Sequence, residues 1–282
     1  MRLAFDRVGS GEPLVLVHGV GHRRQAWLPV LDQLAEQREV ILLDLPGHGE
    51  SDPLVTEGRP LTDVLGEVFR QFLAEQQLDR PHVAGNSLGG RIALEAGVVG
   101  DARSVTALSP AGFWRTDRAF AYTRRLFQTM SRVSQVLEPR AQRLARTSSG
   151  RVLAYGWITA HPTRIPPEQA LGDFLAFRRA QPALHEIIAA ATRFTGVIPD
   201  DVPVTIAWGT RDVVLPRTQA RTVRALVPHA EIVLLPSCGH VPMSDAPERV
   251  AEVLLRGSAR SRPPVAATGT TEATETTDAL AS

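Results

Sequence analysis

The sequence predicts an α/β fold: a mostly parallel central sheet with helices on both faces and an inserted helical cap. Short apolar runs alternate with helical patterns along most of the chain, the pattern of a parallel sheet covered on both sides. The alternation stops after Ser109-Pro-Ala-Gly-Phe-Trp114, gives way to an arginine-rich helical stretch, and resumes after Ile198-Pro199. With 282 residues and 43% apolar content, the chain is long enough to bury one large core with an inserted subdomain. The expected division is residues 1–112 and 196–256 for the core, 113–195 for the cap, and 257–282 for a disordered tail.

Taken in order, Met1-Arg-Leu-Ala-Phe-Asp6 begins as an edge strand. Further strands are expected at Leu14–Val17, Val40–Asp44, His82–Gly85, Val105–Ser109, Val204–Trp208 and Ile232–Leu235, each a short apolar run ending in turn residues. Helices are expected at Gln25–Gln37, Leu61–Gln77, Leu88–Val99, Pro216–Val227 and Pro247–Leu255. Right-handed crossovers then bring the carboxyl ends of the strands to one edge, where open α/β sheets bind ligands.

The most informative segment is Pro81-His-Val-Ala-Gly-Asn-Ser-Leu-Gly-Gly90. It sets Ser87 in Gly-x-Ser-x-Gly between a strand and a helix, the context a nucleophile elbow requires. Gly85 and Gly89 must be small for the chain to pass close to itself, and the helix beginning near Leu88 offers free N–H groups to developing negative charge. Upstream, the Leu14–Val17 strand runs into His18-Gly19-Val20-Gly21, a glycine-rich loop able to present a backbone N–H. Downstream, one strand ends at Asp212 and the next leads into Ser237-Cys-Gly-His240. The chain order is Ser, Asp, His.

These motifs together resemble the α/β-hydrolase superfamily, whose order of nucleophile, acid and histidine they share. The resemblance spans roughly residues 3 to 256. Asp44-Leu-Pro-Gly-His-Gly-Glu-Ser-Asp52 is similar to the family's structural turn after the next strand. The resemblance implies a serine mechanism with Ser87 as nucleophile, His240 as general base and Asp212 orienting the imidazole. Its oxyanion hole is expected from the backbone N–H groups of Val20 and Leu88, with Gly85 and Gly89 shaping the elbow and no cofactor or metal required. Asp200 and Asp201 precede their strand and Asp245 follows the histidine, so Asp212 is favoured as the acid. His18 and His48, in loops near the strand edge, are expected to be structural or pocket-lining.

Within this resemblance the expected reaction is hydrolysis of a small or medium apolar carboxylic ester through an acyl-enzyme. Gly85-Asn86-Ser87-Leu88-Gly89-Gly90 is also similar to the elbow of hydrolases that cleave carbon–carbon bonds in ring-opened aromatic diketones. Those enzymes commonly carry tryptophan after the histidine, where this chain has Val241. Thioester hydrolysis, cofactor-free haloperoxidase-like activity and a ligand-sensing scaffold are also compatible with the resemblance. Ser87 argues against epoxide hydrolase and haloalkane dehalogenase chemistry, which the family runs on an aspartate nucleophile.

Composition narrows the partners. A formal net charge of +1 gives the whole molecule no reason to bind nucleic acid, which leaves a small-molecule substrate. The chain contains no lysine, a feature of base composition more than of function. One cysteine, Cys238, cannot form an internal disulfide, and with no signal sequence recognised this points to the cytoplasm. No apolar run approaches the roughly 20 residues of a membrane span. Oligomeric state is not readable. In the cap, Arg115, Arg118, Arg124, Arg125, Arg132, Arg140, Arg143, Arg146 and Arg151 face only Asp117 and Glu138, the composition of a solvated helix face or of a surface for an anionic partner. Phe113, Trp114, Phe120, Phe127, Tyr155, Trp157, Phe174 and Phe177 are expected to line a pocket or, in the main, to pack cap against cap.

Overall fold

A computed structural model describes residues 1–259. Seven strands form one sheet: β1 (Phe5–Val8), β2 (Pro13–Val17), β3 (Glu39–Leu43), β4 (His82–Asn86), β5 (Ser104–Leu108), β6 (Val204–Gly209) and β7 (Glu231–Leu235). Their order is β1-β3-β2-β4-β5-β6-β7. Only β1 runs antiparallel, against β3; all other pairs are parallel. Every residue of β4, β5 and β6 is buried, as continuous apolar strands covered on both faces must be.

The pleat sorts the side chains. Val15, Val17, Ile41 and Leu43 join the core on one face, while Leu14, Leu16, Val40 and Leu42 join the core on the other. The first face is covered by α2 (Leu61–Glu75), α3 (Leu88–Val99) and α9 (Ala220–Leu226). The second is covered by α1 (Leu28–Ala35) and α10 (Pro247–Ala259), through Val30, Leu34, Val250 and Leu254.

Between β5 and β6 the chain forms α4 (Asp117–Leu137), α5 (Ala141–Arg146), α6 (Ser148–Tyr155), α7 (Pro167–Arg179) and α8 (Gln181–Ala190). Thr116 starts α4 by accepting the Ala119 amide at 3.2 Å, satisfying one of the free first-turn donors. Ala141, Ala145, Tyr155, Ile165, Ala170 and Phe174 give this insertion a small core of its own.

Three local differences from the sequence expectations have physical causes. The helix expected over residues 25–37 divides into a 3₁₀ turn at Arg24–Trp27 and α1, with Pro29 at the new helix start. The helix expected from Pro216 begins likewise with a 3₁₀ turn at Arg217–Gln219. The tail expected from residue 257 is helical as far as Ala259. Gly257 packs so closely on β5 that a Cβ there would meet Thr106 Oγ1 at 2.1 Å, and Ser258 Oγ accepts from Arg38 Nε at 3.1 Å. Residues 260–282 of the expected tail lie outside the described residues.

The position of any site follows from the topology. From β2 the chain goes first to β3 on one side and then to β4 on the other. That reversal leaves a crevice beyond the carboxyl ends of β2 and β4, between the loop carrying Val20 and the turn carrying Ser87.

Candidate active site

Ser87 joins β4 to α3 with φ +55° and ψ −112°, a region that L-residues occupy only when their surroundings impose it. Three backbone hydrogen bonds do so: Ser87 N donates to Leu108 O at 2.9 Å, and Ser87 O accepts from Arg91 N and Ala111 N, both at 3.0 Å. The turn also needs its glycines. A Cβ on Gly85 would lie 2.2 Å from Gly89 C and O, and one on Gly89 would lie 2.0 Å from Val17 O. Strand, turn and helix are thus in backbone contact at positions where no side chain fits.

His240 and Asp212 arrive from the loops after β7 and β6. His240 Nδ1 lies 2.8 Å from Asp212 Oδ2. The other oxygen, Asp212 Oδ1, accepts the amides of Val214 and Leu215 at 2.9 and 2.8 Å. Asp212 therefore caps the following turn and holds the imidazole at the same time. Both side chains are buried. His240 Nε2 is buried with no hydrogen-bond partner among the described residues. Ser87 and His240 line one cavity, and no hydrogen bond joins them.

The loop after β2 is braced from below. His18 Nε2 accepts the Leu45 amide at 3.0 Å and its Nδ1 lies 2.8 Å from Gly19 O. His48 Nε2 accepts the Gly21 amide at 2.9 Å and its Nδ1 lies 2.9 Å from Pro46 O. Since an amide can only donate, each ring is neutral with its proton on Nδ1. Burial holds His18 well below the usual imidazole range, helped by the neighbouring His48, and lowers His48 to about 4. Asp44 completes the brace: it accepts from Arg24 N at 2.6 Å, Arg24 Nη1 at 2.5 Å and Glu50 N at 3.0 Å. The Asp44–Asp52 turn is structural in this way, and His18 and His48 are structural with it.

Val20 lines the cavity beside Ser87. Leu88 is the first residue of α3, so its N–H has no intrahelical acceptor, while its side chain faces a separate groove with Arg91 and Trp114. Gly19, Gly21, His22, Asn86 and Val241 complete the core side of the wall, and the opposite side comes from the insertion: Phe127, Met130, Val133 and Leu137 of α4, Tyr155, Trp157 and Ile158 around the end of α6, and Phe174 and Phe177 of α7. Five of the insertion's aromatic residues thus line the cavity rather than only packing cap against cap. Phe113 instead packs on Phe194, and Trp114 stacks on Phe120 at 4.4 Å between ring centres. The cavity measures about 60 Å³.

Sequence reasoning missed the residues that join the parts. Asp245, weighed only as a rival acid, is 2% exposed and accepts Gly239 N, Ala160 N and His161 N at 2.7, 2.9 and 2.7 Å. It ties the histidine loop to the insertion. Asn86 Nδ2 donates to His240 O at 2.9 Å and Leu108 O at 3.1 Å, locking that loop to the elbow strand. Asp173, from α7, lines the cavity and pairs with Arg23 at 2.8 Å. Asn86 at least sits inside the elbow motif; nothing in the local sequence marks Asp245 or Asp173. Cys238 is buried, and burial pushes its thiol up to about 11, which removes it as a nucleophile. Among the described residues no group of three or more His, Cys, Asp or Glu side chains is arranged to hold a metal ion.

The model of the alpha/beta hydrolase family matches residues 14–253. The chain belongs to that family. A dihydrolipoyllysine-residue acetyltransferase component of the acetoin cleaving system of Pseudomonas putida is 30% identical over 257 residues, 87% of this chain and 63% of that protein. This alpha/beta hydrolase therefore spans less than two thirds of that relative's length. Lipase 1 of Psychrobacter immobilis is 24% identical, over 86% of this chain and 75% of the lipase. Among solved structures, an enol-lactonase from Burkholderia xenovorans shares the fold with TM-score 0.70 and 16% identity, over 92% of this chain and 96% of the lactonase. No helix among the described residues is long and apolar enough to cross a membrane.

Proposed function

We propose that this alpha/beta hydrolase cleaves a small or medium apolar carboxylic ester through an acyl-enzyme on Ser87. The observation that carries the reading is the His240–Asp212 contact of 2.8 Å, with the opposite imidazole nitrogen buried, unpartnered and sharing a cavity with a strained serine. A hydroxyl is a poor nucleophile unless a base takes its proton. His240 Nε2 is the base: it accepts the Ser87 Oγ proton as Oγ attacks the ester carbonyl. Asp212 stays ionised, keeps the Nδ1–H tautomer and stabilises the imidazolium.

The carbonyl oxygen becomes an oxyanion as the tetrahedral intermediate forms, and the amides of Val20 and Leu88 donate to it. Each such donor is worth about 10²–10³ in rate. His240 then gives its proton to the leaving alcohol and accepts one from the water that releases the acid. The insertion acts as a cap over residues 113–195, excluding water and supplying the apolar wall that binds the acyl group. A cavity of about 60 Å³ favours short chains. A thioester would use the same atoms. The relative lipase supports the ester reading by its name alone.

A series of p-nitrophenyl esters of increasing acyl length tests this reading. Turnover that peaks at short acyl chains and vanishes in Ser87→Ala is expected; equal turnover by that variant would overturn it.

A further inference from the structure

The insertion carries a charge pattern that the hydrolytic reading does not use. Its two acids from Thr116 to Gly150 are both engaged by arginines from later in the chain: Asp117 by Arg193, and Glu138 by Arg178. Arg151 is buried and bonds to the carbonyls of Ala145 and Thr163. Every arginine from Arg115 to Arg146 is exposed, and none has an ion pair among the described residues. A solvated helix face normally interleaves both signs; this one leaves its positive charge uncompensated.

The same region of the insertion also exposes apolar side chains. Leu153 lines the cavity and is 55% exposed, so the opening lies beside it. Its neighbour Val152 is 49% exposed, and Val136, next to the cavity-lining Leu137, is 69% exposed. Exposed apolar side chains thus lie near the end of α4 and on α6, and the segment between these helices carries Arg140, Arg143 and Arg146. Arg132 lies one helical turn before Val136. Exposed apolar residues ringed by uncompensated cations match an interface that is itself anionic above and apolar beneath.

We propose that this face docks on an anionic lipid surface, with arginines at the headgroups and Val136, Val152 and Leu153 at the acyl boundary. Binding strength then scales with the apolar area buried plus the electrostatic attraction to anionic headgroups. Nucleic acid would use the arginines but leave the apolar rim in water. The lipid reading stands on the exposed rim and charge alone, and vesicle binding requires neither Ser87 nor turnover.

The test is cosedimentation of the full chain with phosphatidylcholine vesicles, with and without phosphatidylglycerol. The wild type and Ser87→Ala are expected to bind the anionic vesicles alike and to leave them at about 1 M salt, where the screening length is about 3 Å. Combining Arg132→Gln, Arg140→Gln, Arg143→Gln and Arg146→Gln is expected to weaken binding roughly 100-fold or more. Val136→Ser with Val152→Ser is expected to weaken it roughly tenfold. Both variants are expected to keep the wild-type melting temperature, since the replaced side chains are exposed. Wild-type binding that is absent at low salt, equal on neutral vesicles, or unchanged in the four-arginine variant overturns the proposal. So does retention on DNA as strong as on vesicles.

Discussion

Asp212 holds His240 with one carboxylate oxygen, 2.8 Å from Nδ1, and holds its own turn with the other, which accepts the amides of Val214 and Leu215. The orientation of the imidazole is therefore fixed by the same residue that fixes the loop after β6. Asparagine at this position keeps the oxygen for the two amides but offers an N–H₂ to Nδ1, which selects the wrong tautomer. Asp212→Asn is expected to fold normally and lose about 10⁴ in kcat with KM little changed. Steady-state kinetics beside a melting curve checks it.

Gly89 and Gly66 make a paired test of the elbow. A Cβ on Gly89 would sit 2.0 Å from Val17 O, whereas one on Gly66, inside α2, meets nothing within 4 Å. Gly89→Ala is expected to cost about 3 kcal/mol or more, since the obstruction is backbone and cannot step aside. Gly66→Ala is expected to gain about 0.5–1 kcal/mol from helix propensity. Denaturant unfolding of the two variants reads both signs.

Asp245 is expected to act as a positioning residue for His240. Asp245→Ala removes the acceptor of the buried Gly239 N–H and of the half-buried Ala160 N–H, while His161 N keeps Thr159 Oγ1, a loss of roughly 2 kcal/mol or more. Because Gly239 is one of them, kcat should fall and the acid limb of the pH–rate profile should shift, which simple destabilisation would not cause. Asp200→Ala, at a carboxylate 93% exposed, should change stability by less than about 0.5 kcal/mol.

The core of the fold and the three proposed site residues were legible in the sequence because each is punctuated locally. Short apolar strands run into turns rich in glycine, proline and polar residues, and Ser87 sits in a motif whose spacing is dictated by the close approach of Gly89 to β2. What was not legible is what depends on contacts across the chain. Asp245 reaches Ala160 and His161, and Phe127, Trp157 and Phe177 turn toward the cavity only because α4, the end of α6 and α7 lie over Ser87. No local periodicity encodes that placement. Helix α10 runs past its expected end because long-range contacts hold it, those of Gly257 with Thr106 and of Ser258 with Arg38.

The buried histidines predict an acid instability. His48 is neutral when folded, with its pKa lowered to about 4 by burial, and His18 is shifted in the same direction. The unfolded chain binds protons at about 6.5, so between about 6.5 and 4 it holds more protons than the folded one and stability rises with pH. Stability is complete above about 6.5 and is lost as pH falls toward 4, by on the order of 3 kcal/mol for His48. His48→Gln should lower stability at pH 7 and flatten this dependence, as melting temperatures across the range would record.

A fluorophosphonate probe, which reacts with an activated serine, reads out whether Ser87 is the nucleophile of a serine hydrolase. Peptide mapping of the labelled wild type is predicted to find one adduct, on Ser87, with none on Ser87→Ala and slower labelling of Asp212→Asn. A folded wild type that takes no label, or one labelled at another residue, would contradict the claim.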